Sequence, residues 1–518
     1  MNRICRLAGL MLLLFWLAVV PVQAQKLLYV PADNRPVSLQ YVTDTFEAAG
    51  ATLLTPPEEL LAARNQWGDA DGLWNWVEEH SLEADSLVLS ADSMLYGGLV
   101  PSRVHELSTE TLQKRVERFT HLRRLHPNAR IYVFSTVMRT PQFTAGGVEP
   151  PYYEQYGYRI FRISALRDKK EVQSLTKQEA QELAALVSEV PLEVMADWQA
   201  RRDKNFQINT QLIYLMQKGE LNYLILGRDD TAPYSQSHKE TRALLKQAAG
   251  SDGRFASFPG ADQLGMILLT RAVNEFHNRI PVVVVRYAPG IGPSTIPSYE
   301  DQPAGKTIFD HILAAGGVPL LTPALAELIL MVNTPADGKT HEADSALNRT
   351  RVSAETMAFA AETKLWLQAG KKVAVADIAF GNGADNSLLM HLSAQELLPE
   401  LAAYSGWNTA SNTAGYAIGQ GMLAASMTDH DRLRLLAVRY LDDWAYQANI
   451  RAELNKEINY PQGGSLVMLD ERQSLLVLAA EKKFHKFASR YLYGLPTAEL
   501  HATFPWNRMF EVFVTVDK

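Results

Sequence analysis

Two aspartates stand side by side, Asp229 and Asp230, just after an apolar run, Tyr223 to Leu226, and the sequence Gly227-Arg228. The run reads as a short buried strand. Charged residues at the end of such a strand are either paired or used. Neighbours on a regular strand point to opposite faces, but where the chain turns at the strand end both can reach one pocket. Two close carboxyls repel, so one keeps its proton near neutral pH and can act as an acid. Asp229 and Asp230 are therefore the expected catalytic pair. The plainer alternative is a salt bridge from Arg228 and a helix cap at Asp230.

The same arrangement recurs along the chain. Asp33, Arg35, Asp92, Arg139, Asp262, Asp377, Asn382, Asp385, Trp407 and Asn408 all fall at the ends of other apolar runs. In α/β folds ligand sites form at strand C-termini, so these residues are expected to line the pocket and bind substrate. Aspartates dominate there, and His238 is the one histidine near a predicted strand end, where it reads as a helix-start residue. No His pair has a metal spacing, so no metal ligand is assigned. Gly97-Gly98 and Gly381 to Gly383 match neither a dinucleotide nor a P-loop fingerprint, and no cofactor is expected. No nucleophile elbow is present.

This inventory suits glycoside hydrolysis, which needs one carboxyl as general acid and a second as base, nucleophile or charge stabiliser. Trp407 and the tyrosines between Tyr152 and Tyr158 would supply apolar platforms, and Asp and Asn would bind hydroxyls. The adjacent aspartates look like the Asp-Asp pair of hexosaminidases that use the substrate's acetamido group. In those enzymes one carboxylate orients the acetamido and the other is the acid/base. The expected partner is thus a small or polymeric carbohydrate. Two other readings use the same groups: a non-catalytic periplasmic sugar-binding protein, and a carboxylate hydrolase with an oxygen-rich Mg²⁺ or Ca²⁺ site. Structural roles compete residue by residue. Asp33 and Arg35 can pair across a turn. Asp262 and Asp385, each following Gly-Ala, can cap helices, and Trp407 can be a packed ring beside a capping Asn408.

The elements that must position these side chains alternate between strand and helix for some 400 residues, which argues an α/β architecture with mainly parallel sheet. Eight strands beginning near residues 27, 52, 87, 131, 223, 328, 373 and 401 fit a (β/α)8 barrel, the preferred arrangement. Residues 25–423 would form this core, with about 253–322 as an inserted α/β subdomain and 424–518 as a mainly helical C-terminal region. Residues from about Thr140 to Gly219 exceed an ordinary connection and read as an insertion or an elaborated helical layer over the site. The rival is two doubly wound α/β halves meeting near residue 250.

Arg3 and Arg6 precede an apolar run, Leu7 to Val20, and Val22-Gln23-Ala24 has a cleavage signature, so residues 1–24 read as a secretory signal and the protein as periplasmic or extracellular. No other run is apolar enough to span a bilayer. The single cysteine, Cys5, lies in that leader, leaving no disulfide in the mature chain. The formal charge of −7 becomes −9 without the two leader arginines. A mildly acidic, mixed-charge surface gives no sign of nucleic-acid binding. Seven stretches together carry a resemblance: Pro31 to Pro36, Tyr96 to Leu99 with Ser102-Arg103, Gly227 to Pro233, Gly260 to Asp262, Asn382 to Asn386, Gly406 to Thr409 and Pro505 to Arg508. Over nearly the whole mature chain they resemble an exported bacterial family catalogued only as a domain of unknown function, four-one-two-seven in that series. The resemblance implies no activity; the carbohydrate expectation comes from the residues themselves.

Overall fold

The structure is a computed structural model that describes residues 25–64, 66–142, 147–251 and 253–516. The expected leader therefore lies outside the described residues. No helix among the described residues is long and apolar enough to cross a membrane.

Two separate parallel sheets carry the fold. The first contains β1 (Lys26–Val30), β2 (Thr52–Leu54), β3 (Ser86–Ser90), β4 (Arg130–Val137), β5 (Tyr223–Arg228) and β6 (Phe255–Pro259), in the order β2-β1-β3-β4-β5-β6. The second is built from β7 (Val282–Tyr287), β8 (Val318–Pro319), β9 (Leu328–Asn333), β11 (Val373–Asp377) and β13 (Ala403–Ser405), in the order β13-β11-β9-β7-β8. Short β10 (His341–Glu342) and β12 (Phe380–Gly381) pair above its edge, and β14 (Leu500–Thr503) and β15 (Phe513–Val516) form an antiparallel ribbon.

This corrects the barrel arrangement. β2 and β6 are the edges of the first sheet, and β8 and β13 of the second, so among the described residues neither sheet closes into a barrel. The stretch 253–322 is not an inserted unit, since β6 completes the first sheet while β7 and β8 begin the second. In each sheet the first strand lies between the second and the third, the doubly wound pattern that places a ligand crevice at the strand C-termini. The mixed α/β class holds, and the two sheets match the rival arrangement of two halves.

Strand sequence explains the layering. β3, β5, β9 and β11 are buried along their whole length, as parallel strands covered on both faces must be. Along β1, Leu27 and Tyr29 face one core while Leu28 and Val30 face another, the alternation expected of a strand. The outer core holds Trp74, Leu87, Leu89 and Phe119; the inner one runs unbroken from the first sheet into the second. Two helices make that bridge, Leu264–Phe276 and Ala410–Leu423, both almost wholly buried. Gly415 and Gly419 lie against Gln263 and Met266, and a Cβ at either would collide with those side chains. The two helices can therefore pack closely.

Residues 153–217 fold as three helices, Tyr153–Val172, Lys177–Glu189 and Leu192–Gln217. After residue 428 a long helix with π-helical turns at Tyr440–Ile450 and Asn455–Asn459 precedes the helix Gln473–Tyr491. The chain then returns to the first sheet, where the Trp506 indole donates to Asn34 (2.8 Å), while Tyr446 donates to the Met509 carbonyl (2.6 Å). One short segment thus ties the loop after β1 to the C-terminal helices.

Candidate active site

The C-terminal ends of the two sheets and the returning segment 506–510 enclose one cleft of about 540 Å³. Its first wall comes from β5 and β6. Asp230 has φ 32°, in the left-handed region, so the chain turns immediately after the strand. This puts both Asp229 and Asp230 on the cleft. Gly227 lets β5 approach β6: a Cβ there would strike the Gly260 carbonyl and the Leu264 side chain. That close approach brings Asp229 and Asp230 to the same cleft as Asp262, which follows β6.

Arginines hold these carboxylates. Nε and Nη2 of Arg103 both donate to Asp229 Oδ2, at 3.0 and 2.6 Å. Arg139 Nη1 donates to Asp230 Oδ2 at 2.6 Å and its Nε to Glu149 at 2.6 Å. Arg35 bridges Asp33 (Nε, 2.9 Å) and Asp262 (Nη2, 2.6 Å). Arg228 does not serve the aspartates that follow it. It reaches Asp301 of the second lobe at 2.7 Å, so the expected Arg228–Asp pairing is replaced by a lobe-to-lobe bond. Asp230 caps no helix either; Ser235 caps the helix Gln236–Gln247.

Burial pushes the Asp230 carboxyl above its ordinary range; Arg139 opposes this and the negative charge of Asp229 adds to it. Burial also raises Asp262, against the pull of Arg35 and with a contribution from Asp33. Behind Asp229, Asp92 accepts the Thr136 amide (3.0 Å) and is pushed up to about 7, chiefly by burial.

The other walls are aromatic, amide and arginine side chains. Trp506 and Phe510 line the cleft, with the Arg35 and Arg508 guanidiniums 5.4 and 4.8 Å from the Trp506 ring centre. Arg508 is held by Glu511. Asn382, Asn408 and Asn412 face the same space, and the amide nitrogens of Asn408 and Asn412 lie 3.5 Å from Asp262 Oδ2. Positive φ values recur around the rim, at Asp230, Tyr299, Asn382 and Asn408. Non-glycine residues hold that conformation at a cost of about 1–3 kcal/mol each, and it concentrates where surrounding structure fixes a site.

Of the residues named from sequence, Arg35, Arg139, Asp229, Asp230, Asp262, Asn382 and Asn408 line the cleft. Asp33 and Asp92 lie one layer behind, holding Arg35 and the end of β4. The remaining three are elsewhere. Asp377 accepts from Asn333 (2.8 Å), the Asp385 amide (2.7 Å) and the Tyr404 hydroxyl (3.0 Å), while Asp385 caps the helix Asn386–Ala394. Both aspartates are buried tethers at the end of the second sheet, because the loop after β11 folds back over them. Trp407 is 2% exposed and packs edge-on to Phe510, so it is core and no platform. Tyr152, Tyr153 and Tyr156 belong to a small apolar cluster with Trp198 in the helical layer. His238 follows the helix start and pairs with Asp168 at 2.9 Å. Among the described residues no group of three or more His, Cys, Asp or Glu is placed to hold a metal ion.

Sequence reasoning missed Arg103, Arg451, Trp506 and Arg508 as lining residues. Pro505 to Arg508 and Ser102-Arg103 were visible only as motifs, since no strand end announces them.

A family model described as "Protein of unknown function (DUF4127)" matches residues 27–515, nearly the whole chain, and the chain belongs to that family. Comparison with curated proteins finds no match.

Proposed function

We propose that this member of the DUF4127 family is an exported hydrolase of the glycosidase type, acting on a carbohydrate in the cleft between its two sheets. Export rests on the leader pattern of residues 1–24. The reaction rests on one observation: two adjacent carboxyls share a cleft in unequal surroundings. Asp229 receives two guanidinium hydrogen bonds on one oxygen. Burial and its neighbour's charge drive Asp230 toward its protonated form. That inequality separates acid from charge-bearing partner. Asp230 gives its proton to the glycosidic oxygen as the bond to the sugar breaks, and Asp229 steadies the positive charge that develops on the ring or orients an acetamido group. Water then supplies the new hydroxyl and returns a proton to Asp230. Asn382, Asn408 and Asn412 offer hydroxyl partners, and Trp506 and Phe510 an apolar wall.

A second reading, a sugar-binding protein without turnover, draws on the pairing of Asp229, Asp230 and Asp262 with arginine, which suits a preformed receptor. A panel of chromogenic glycosides that includes N-acetylhexosaminides separates the two. It is run with the mature chain and with the Asp229→Asn and Asp230→Asn variants, with and without chelator. Turnover that is chelator-insensitive and falls at least about 100-fold in Asp230→Asn supports the hydrolase. Saccharide binding by calorimetry with no turnover on any substrate sinks it in favour of the receptor.

A further inference from the structure

Each of the five arginines of the cleft leaves a guanidinium nitrogen open, as the buried Arg439 behind it also does, whereas three other buried arginines do not. Arg202, fully buried under the helical layer, has all three guanidinium nitrogens bonded, to Glu240, Thr140 and the carbonyls of Met138 and Arg139. Arg228 and Arg201 are likewise bonded through every nitrogen. In the cleft, Arg35 bonds through Nε and Nη2, Arg103 through Nε and Nη2, and Arg508 through Nε and Nη2. Each leaves Nη1 without a hydrogen-bond partner among the described residues. Arg139 leaves Nη2 unpartnered and buried. Arg451 bonds Gln447 through Nη1 (2.8 Å), lies 3.7 Å from Asp344 through Nη2, and leaves Nε open.

Three of them lie over the aromatic wall, Arg35 at 5.4 Å from the Trp506 ring centre. Arg508 is 4.8 Å from the Trp506 ring centre and 5.7 Å from that of Phe510, and Arg451 is 5.6 Å from Phe510. A guanidinium resting on a ring keeps its N–H groups in its own plane, free for a planar anion. An uncharged hydroxyl needs one such donor at most, whereas a carboxylate or sulfate can accept the open Nε–H of Arg451 and the open Nη1–H of Arg508 on separate oxygens. The carboxylates Asp229, Asp230 and Asp262 stand on the β5–β6 wall, each bonded to Arg103, Arg139 or Arg35, whereas Arg451 and Arg508 stand by Phe510 and Trp506, with Asp344 3.7 Å from Arg451.

We infer that the saccharide taken by this cleft is an anionic one, its acidic group held by Arg451 and Arg508 against the Trp506–Phe510 wall while its hydroxyls face the aspartates. This rests on the carbohydrate reading of the same site and names its substrate class. Carboxylate and sulfate share the chemistry, and the test separates them.

Binding of three matched oligosaccharide sets (neutral, uronic-acid-containing and sulfated) is measured by calorimetry on the mature chain, on Arg451→Gln and on Arg451→Lys. Arg451 is chosen because its nearest carboxylate, Asp344, is 41% exposed, so its removal strands no buried charge. Circular dichroism and melting curves confirm that each variant is folded, and Arg508→Gln is a second variant where they do. The expected result is preference for one anionic set, affinity falling with added salt, and a loss of about tenfold or more in Arg451→Gln. Arg451→Lys should recover only part of it, because the ammonium keeps the charge and loses the guanidinium's seat by the Phe510 ring and its directed Nε–H. Which anionic set binds tells carboxylate from sulfate. Neutral saccharides that bind as tightly as charged ones, with Arg451→Gln unchanged, overturn the inference and leave the carbohydrate reading standing. Binding of no saccharide in any set overturns both.

Discussion

Asp229 and Asp230 are chemically identical side chains made unlike by their neighbours. Arg103 puts two donors on one oxygen of Asp229, whereas Asp230 has a single bond from Arg139, a guanidinium shared with Glu149. Arg139 is the group that restrains the upward shift of Asp230. Removing it should let Asp230 hold its proton to higher pH. If Asp230 works as the acid, Arg139→Gln will move the alkaline limb of the kcat/KM profile upward, together with a fall in overall activity from lost positioning. A limb that stays in place, or moves down, assigns the proton to another group. The pair itself could be read from sequence because a double aspartate at the end of an apolar run is costly unless used. Its arginine partners could not, since Arg103 lies 126 residues away and no local pattern links them.

At the scale of elements, the site depends on how closely strands and helices approach. Gly227 is the position where this bears on the aspartates, with the Gly260 carbonyl and Leu264 occupying the space of a side chain. Gly227→Ala should cost about 1–3 kcal/mol through overpacking and should also push Asp229 and Asp230 away from Asp262. The expected observation is a lower urea midpoint with an unchanged m-value, and weakened ligand binding in the folded fraction. An unaltered midpoint would mean that the two strand ends can part without penalty. The strands themselves were legible: nearly every apolar run bounded by Gly, Pro or Asp became a strand within a residue or two, because burial on both faces demands continuous hydrophobic stretches. Which strands share a sheet was not legible. Runs such as Phe255 to Phe258 and Val282 to Val285 look alike in sequence, yet one closes the first sheet and the other opens the second. Pairing is settled by the crossover helices between them, above all Leu264–Phe276, which carries the chain from one sheet to the other.

At the scale of the whole molecule, several buried carboxyls stand well above their ordinary range. Asp92, Glu300, Asp377 and Asp443 are each pushed up to about 7, chiefly by burial, from ordinary values of 3.8 or 4.5. Between those limits these four carboxyls bind more protons in the folded state, which makes stability fall as pH rises from about 4 to about 7; His105 and His311, pushed by burial from 6.5 down to about 4, and the lowered His126 oppose this only below about 6.5, so the fall prevails from there to pH 7. The melting temperature should therefore be higher at pH 6.5 than at pH 8, and Asp377→Asn should flatten the dependence. A melting temperature that climbs steadily from pH 6.5 to pH 8 would contradict this picture. A different consequence comes from the segment that carries Trp506, Arg508 and Phe510. Every other lining residue precedes it in the chain, and both sheets are complete by Ser405. The same segment joins a core that runs through both sheets, so the last stretch of chain to be made supplies both a wall of the cleft and part of the packing beneath it. A change there is felt twice, once as lost recognition and once as lost cohesion.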